Sequence, residues 1–126
     1  MKLTHTRILV DRYQQCYRFY KDILNLECTW GDEDSNYAQF QAGNTLIAIF
    51  DKRQMLDDLD EKSPAFGTPA NDVMLIFAVE DVDRTYQELQ EKIEFITAPH
   101  DRKDWGIRVA HFRAPNGTLI EINKNI

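Results

Sequence analysis

Cysteine is scarce in this sequence, which has only Cys16 and Cys28, and these two form no Cys-x-x-Cys pair. Two cysteines are too few for a disulfide framework or for a zinc site made of cysteines. We expect both thiols to be reduced. The sequence also lacks a phosphate-binding glycine loop, a dinucleotide-binding glycine pattern and a serine-centred nucleophile elbow. No motif therefore supports nucleotide binding, a zinc finger or a serine hydrolase.

Positive charge and long apolar runs are also in short supply. The chain has 15 Lys and Arg against 21 Asp and Glu, a net charge of −6. This balance argues against a nucleic-acid surface and against a polybasic membrane anchor. No apolar run approaches the roughly 20 residues of a spanning helix, and the first residues have no signal-peptide core or cleavage site. We therefore expect a cytoplasmic protein that binds neither nucleic acid nor membrane.

An internal repeat is the strongest pattern in the 126 residues. The strands YAQFQA and TLIAI of residues 37–49 match VAHFRA and TLIEI of residues 109–122, with one extra residue in the second turn. Each match is preceded by an apolar strand and an amphipathic helix, for which Asp11 and Asp81 are the candidate caps. Repetition of this kind predicts two copies of one structural unit.

Alternation and turn residues divide each half into one strand, one helix and three further strands. We predict an α+β fold of two tandem βαβββ modules that form a curled mixed sheet around a concave site. Within this single domain, module one covers about 1–53, a linker about 54–71 and module two about 72–126. The segment 99–104 is predicted to be a polar loop in which His100 is solvated.

Three segments resemble the vicinal oxygen chelate superfamily of glyoxalases, bleomycin-resistance proteins and extradiol dioxygenases. They are FYKDILNLE at 19–27, WGIR at 105–108 and FRAPNGTLIE at 112–121. The sequence departs from the family at Asn25, where Gly is usual, and at Ala114, where Asp is usual. The resemblance implies a homodimer and a small-molecule site between the modules, and it leaves the reaction open because this fold hosts many chemistries.

Metal-dependent members of that superfamily place ligands on the first and last strand of each half. The matching positions here are His5, Ala48, Met74 and Glu121. Two His/Glu-type ligands are missing, and the thioether of Met74 suits magnesium, manganese or ferrous iron poorly. We therefore predict no firmly bound cofactor, and any divalent metal would be held weakly by the incomplete set His5 and Glu121. If no metal binds, His5 and Glu121 are either polar pocket residues that hydrogen-bond a ligand or a structural pair with no ligand role.

Strand alternation and the resemblance together give a set of candidate ligand-binding residues. They are His5, Arg7, Tyr37, Gln39, Met74, Trp105, Arg108, Val109, His111 and Glu121. The position of His111 resembles one that carries an active-site residue, so His111 and Glu121 are the candidate catalytic pair. The alternative is that His111 is hydrogen-bonded within the sheet. Because alternate residues of a strand share a face, Leu119 and Asn123 are also predicted to face the site with Glu121.

These residues support three functions. The first is a binding protein, resembling bleomycin-resistance proteins, that holds a small aromatic or cationic molecule without a tight metal. The second is a metal-dependent lyase or dioxygenase that uses His5 and Glu121, although glyoxalase I activity is not expected. The third is a regulatory domain without chemistry. The sequence leaves enzymatic activity undecided among these.

Overall fold

The computed structural model describes residues 1, 4–54 and 70–126, with only the backbone of 70–72. The chain divides into two compact units, residues 1–68 and 69–126. The predicted linker falls almost entirely outside the described residues, so the module boundaries stay predictions. None of the described helices is long and apolar enough to cross a membrane.

The first unit has a helix between its first two strands and a four-stranded mixed sheet. Its elements are β1 (Thr6–Val10), α1 (Tyr13–Arg18) continuing as a π-helical segment (Phe19–Ile23), β2 (Glu27–Gly31), β3 (Tyr37–Ala42) and β4 (Thr45–Asp51). The strand order is β1-β4-β3-β2. β1 runs parallel to β4, and the other neighbouring strands are antiparallel.

The second unit repeats this arrangement. Its elements are β5 (Ala70–Ala78), α2 (Val82–Leu89), β6 (Phe95–Arg102), β7 (Ile107–Arg113) and β8 (Thr118–Asn125). The order is β5-β8-β7-β6, again with the first strand parallel to the last and the others antiparallel. The α+β fold of two βαβββ modules is therefore confirmed.

In each unit the helix packs on one face of its own sheet. The rings of Tyr17 and Tyr20 lie 5.6 and 5.8 Å from that of Phe40 on β3. In the second unit the Tyr86 ring lies 4.6 Å from that of Phe95 on β6. Because strand residues alternate, each sheet also has an opposite face, which we call the helix-free face.

The two helices begin differently. Asp81 caps α2 as predicted, since its side chain accepts a hydrogen bond from the backbone N–H of Arg84 at 3.0 Å. The prediction that Asp11 caps the first helix is wrong. That helix begins at Tyr13, and its N-cap position is Arg12, which makes no side-chain cap hydrogen bond. Asp11 thus stands one residue before the capping position.

The first helix ends in a wider turn than the sequence pattern predicts. In the π-helical segment the backbone N–H of Leu24 donates to the carbonyl of Phe19, five residues back, at 3.0 Å. Asn25 then takes a φ of +56°, a left-handed conformation that asparagine tolerates better than most residues. This explains how asparagine serves at the position where the resemblance implies glycine.

Candidate functional site

A hydrogen-bonded carboxylate lies at the centre of the helix-free face of the second sheet. Glu121 on β8 is paired in register with Ile76 on β5 and with His111 on β7. His111 is in turn paired with Thr97 on β6. Paired residues point to the same face, so these four side chains form a row across the sheet. The strand register therefore brings the candidate catalytic pair together.

Both oxygens of the Glu121 side chain accept hydrogen bonds. The ring Nε2 of His111 lies 2.9 Å from Oε2, and Nδ2 of Asn123 donates to Oε1 at 2.9 Å. Glu121 is only 3% exposed. Burying a carboxylate is costly unless it is paired and hydrogen-bonded, and His111 and Asn123 meet that requirement.

His111 is itself held from the other side by Thr97. The Thr97 hydroxyl lies 2.8 Å from His111 Nδ1, and it also accepts a hydrogen bond from the His111 backbone N–H at 3.1 Å. The Thr97 hydroxyl can donate or accept, so it can bond to Nδ1 while Nε2 faces Glu121. Thr97 therefore fixes the orientation of the ring.

Exposed apolar side chains lie beside this polar row on β5. Met74 is 40% exposed and Ile76 is 57% exposed. On the other side of β8, Val109 is fully buried. The face thus combines a buried carboxylate with accessible apolar surface, a combination that is common in small-molecule sites.

The remaining first-unit candidates occupy the helix-free face of their own sheet. Arg7 pairs in register with Ala48, and Ala48 pairs with Gln39. The side-chain amide of Gln39 donates to the Tyr37 hydroxyl at 2.7 Å. His5 precedes β1, is exposed, and has its Nδ1 3.0 Å from the Thr4 hydroxyl. The structure therefore groups Arg7, Tyr37 and Gln39.

His5 belongs to the first unit and Glu121 to the second. Within the described residues, no three His, Cys, Asp or Glu side chains are grouped so that they could hold a metal ion. The incomplete metal set of His5 and Glu121 stays a prediction. So does the concave site between the modules.

Arg108 lies on the helix-covered face of the second sheet, away from His111. Its guanidinium donates to both carboxylate oxygens of Asp83 on α2 at 2.8 Å, and to Asp101 at 2.9 Å. The hydrogen bonds from Arg108 hold the pKa of the Asp83 carboxyl below its usual value. Arg108 therefore links α2 to the sheet, and its role in ligand binding stays a prediction.

Trp105 lies in the turn between β6 and β7 and is 58% exposed. The Arg102 guanidinium carbon stands 3.7 Å from the centroid of its ring. This cation–π contact orients the indole on the turn.

The prediction that His100 lies in a solvated loop is wrong. β6 continues to Arg102, so that His100 pairs in register with Val109. The His100 ring is half-buried, and its centroid is 6.0 Å from that of His111. Two register shifts, between Phe95 and Thr97 and between Thr97 and His100, let the strand run through Pro99.

Sequence reasoning missed Thr97 because of the same register shifts. Alternation along β7 and β8 is unbroken, so parity finds His111, Glu121 and Asn123. Along β6 alternation fails, and nothing in the composition of residues 95–102 marks Thr97 as the partner of His111. The only available signal is the position of Thr97 on the strand next to His111.

Known proteins share this fold and much of this sequence. Residues 3–126 match the family model of the glyoxalase-like domain. The uncharacterized protein YraH of Bacillus subtilis (strain 168) is 42% identical over 126 residues, which cover 98% of each chain.

Solved structures agree over the whole chain. A protein of unknown function from Agrobacterium tumefaciens str. C58 superposes with a TM-score of 0.82 at 25% identity, covering 100% of this chain and 95% of that one. A glyoxalase/bleomycin resistance protein/dioxygenase from Nocardioides superposes with a TM-score of 0.81 at 20% identity, covering 100% and 84%. At that identity the second likeness shows the fold alone.

Proposed function

This chain belongs to the glyoxalase-like family of the vicinal oxygen chelate superfamily, and from that premise we propose that it binds a small molecule at Glu121 without a tightly held metal. The observation that carries the proposal is the difference between the two sheets at equivalent positions. The first sheet has the fully buried Ala48 where the second has Glu121. The βαβββ unit therefore folds without a carboxylate at this point, and folding alone does not account for Glu121.

The hydrogen-bonding capacity of Glu121 supports a ligand role. An ionised carboxylate offers about four acceptor positions, and His111 and Asn123 each use one. The remaining lone pairs can accept from a ligand, while the existing bonds hold the group in one orientation. The exposed Met74 and Ile76 supply apolar contact beside it. This chemistry suits a molecule that combines a cationic or N–H donor group with a flat apolar part.

The donors at the family's metal-ligand positions do not fit a tight divalent ion. Ala48 has no donor atom, and Met74 offers a soft thioether where oxygen or imidazole is required. The second candidate function is a metal-dependent lyase or dioxygenase that uses His5 and Glu121, and the carboxylate of Glu121 is the observation in its favour. We also propose that the protein forms a homodimer.

Calorimetric titration with benzylamine tests the proposal, since this probe joins an ammonium group to a flat ring. We expect the dissociation constant to rise about tenfold in Glu121→Gln, because a hydrogen bond to a charged group is lost. The exposed Glu94→Gln serves as the control of equal charge change and should bind benzylamine as the wild type does. Benzyl alcohol, which lacks the charge, should bind more weakly than benzylamine.

Two results would contradict the proposal. One is equal affinity for benzylamine in wild type and Glu121→Gln, and the other is no binding of benzylamine at all. Elemental analysis of the same preparation should show less than one metal ion per chain. Stoichiometric zinc, nickel or iron that survives dialysis would favour the metal-dependent enzyme instead.

A further inference from the structure

Arg7 places a positive charge on the helix-free face of the first sheet, in a protein whose net charge is −6. Its side chain is exposed. Its register partner is Ala48, whose small side chain leaves the guanidinium free to extend over the neighbouring strands. An arginine so placed is accessible to a ligand.

Two aromatic rings hold this guanidinium. Its central carbon lies 5.1 Å from the ring centroid of Tyr37 and 5.8 Å from that of Phe50. The two rings pack edge to face at 5.8 Å, and the Gln39 amide fixes the Tyr37 hydroxyl. A cation–π contact orients the guanidinium without using its N–H donors. The donors therefore stay available for another partner.

Among the residues that the structure describes, no carboxylate pairs with those donors. Among residues 1, 4–54 and 70–126 Arg7 forms no ion pair, whereas Arg108 binds both Asp83 and Asp101. The repeat also shows that the fold does not require Arg7, Tyr37 and Phe50 at these positions. The equivalent positions in the second unit hold Ile76, Val109 and Asn123 in place of Arg7, Tyr37 and Phe50.

We propose that Arg7, Tyr37 and Phe50 form a binding site for the carboxylate of a small aromatic acid. The guanidinium fork matches a carboxylate with two parallel hydrogen bonds, a geometry that lysine cannot provide. The neighbouring rings offer apolar surface to the rest of the ligand. This site goes beyond the function proposed above, because it lies in the other unit and recognises the opposite charge.

NMR titration of the full chain with sodium benzoate tests the site, with benzamide as the uncharged probe of the same shape. In the wild type, benzoate should shift the Arg7 side-chain N–H resonance and the Tyr37 ring resonances in a saturable manner, and benzamide should shift them much less. In Arg7→Gln the dissociation constant for benzoate should rise at least about fivefold. Arg7→Lys should fall between the two, because it keeps the charge and loses the fork.

The matched control is Arg84→Gln, which removes an equal charge from an exposed position on α2 that is 78% exposed. It should bind benzoate as the wild type does. Equal effects of Arg7→Gln and Arg84→Gln would mean that only net charge matters and would overturn the proposal. Equal shifts from benzoate and benzamide, or no saturable shift at Arg7, would overturn it too. None of these results depends on benzylamine binding at Glu121, so the two proposals fail separately.

Discussion

Glu121 keeps its buried carboxylate because each oxygen has a donor, and His111 keeps its orientation because Thr97 holds the other ring nitrogen. At the scale of single residues, the site is therefore a chain of contacts across three strands. Removing a central member takes one hydrogen bond from each neighbour, and a buried polar atom left unpaired costs more than the bond it once made.

We expect His111→Ala to lower the free energy of unfolding by about 1–3 kcal/mol, because the buried Glu121 carboxylate loses its imidazole donor. His100→Ala is the matched control, since its ring nitrogen bonds only locally, to the carbonyl of Ala98 at 2.8 Å. Urea denaturation of the two variants gives the comparison. Equal losses in both would show that the His111–Glu121 contact contributes no more than ordinary packing.

At the scale of elements, the two helices differ in how their first turns are stabilised. The first turn of α2 has the carboxylate of Asp81, and the first helix has no side-chain cap at Arg12. The sequence predicts a capping aspartate in both places, since Asp11 and Asp81 each follow an apolar strand. The two helices begin at equivalent positions of the repeat, with Arg12 and Asp81 as N-caps, and the aspartate of the first unit stands one residue before that position.

Asp81→Ala should lower the free energy of unfolding by about 0.5–2 kcal/mol, because the N–H of Arg84 loses its acceptor. Asp81→Asn keeps a capping oxygen and should cost much less. Thermal and urea unfolding followed by far-ultraviolet circular dichroism measure both. The explanation by capping fails if the asparagine and alanine variants are equally destabilised.

Strand β6 shows where element prediction breaks down. The predicted strand ends near residue 98, before Pro99, because proline usually interrupts a ladder. In the structure β6 is the outer strand of its sheet and shifts register twice, so Pro99 is accommodated and pairing continues to Arg102. These shifts bring Thr97 opposite His111, a contact that no local pattern encodes.

At the scale of the whole molecule, each four-stranded sheet ends in two outer strands, β1 and β2 in the first and β5 and β6 in the second. Outer strands present unpaired backbone groups that proteins usually cover. We predict that the protein is a homodimer. Sedimentation velocity at micromolar concentration should give a mass close to twice 14.8 kDa, and a monomer there would contradict the prediction.

The sequence by itself determined the fold class, the order of the elements and the pairing of the two halves. The repeat YAQFQA/VAHFRA and TLIAI/TLIEI carries this information, because alternation and turn residues act locally and the same local rules apply twice. The same alternation placed His111, Glu121 and Asn123 on one face, since β7 and β8 run without register shifts. Their shared face thus follows from the local pattern alone.

Only the tertiary structure decided which contacts these residues make. Thr97 contacts His111 because β6 shifts its register. Arg108 forms ion pairs with Asp83 and Asp101 because α2 packs on the same side of the sheet. Arg7 pairs with no carboxylate of the described residues and lies against Tyr37 and Phe50 from neighbouring strands. Hydrogen bonds and ion pairs depend on distances of a few tenths of an ångström between residues far apart in the chain, and alternation specifies only the face.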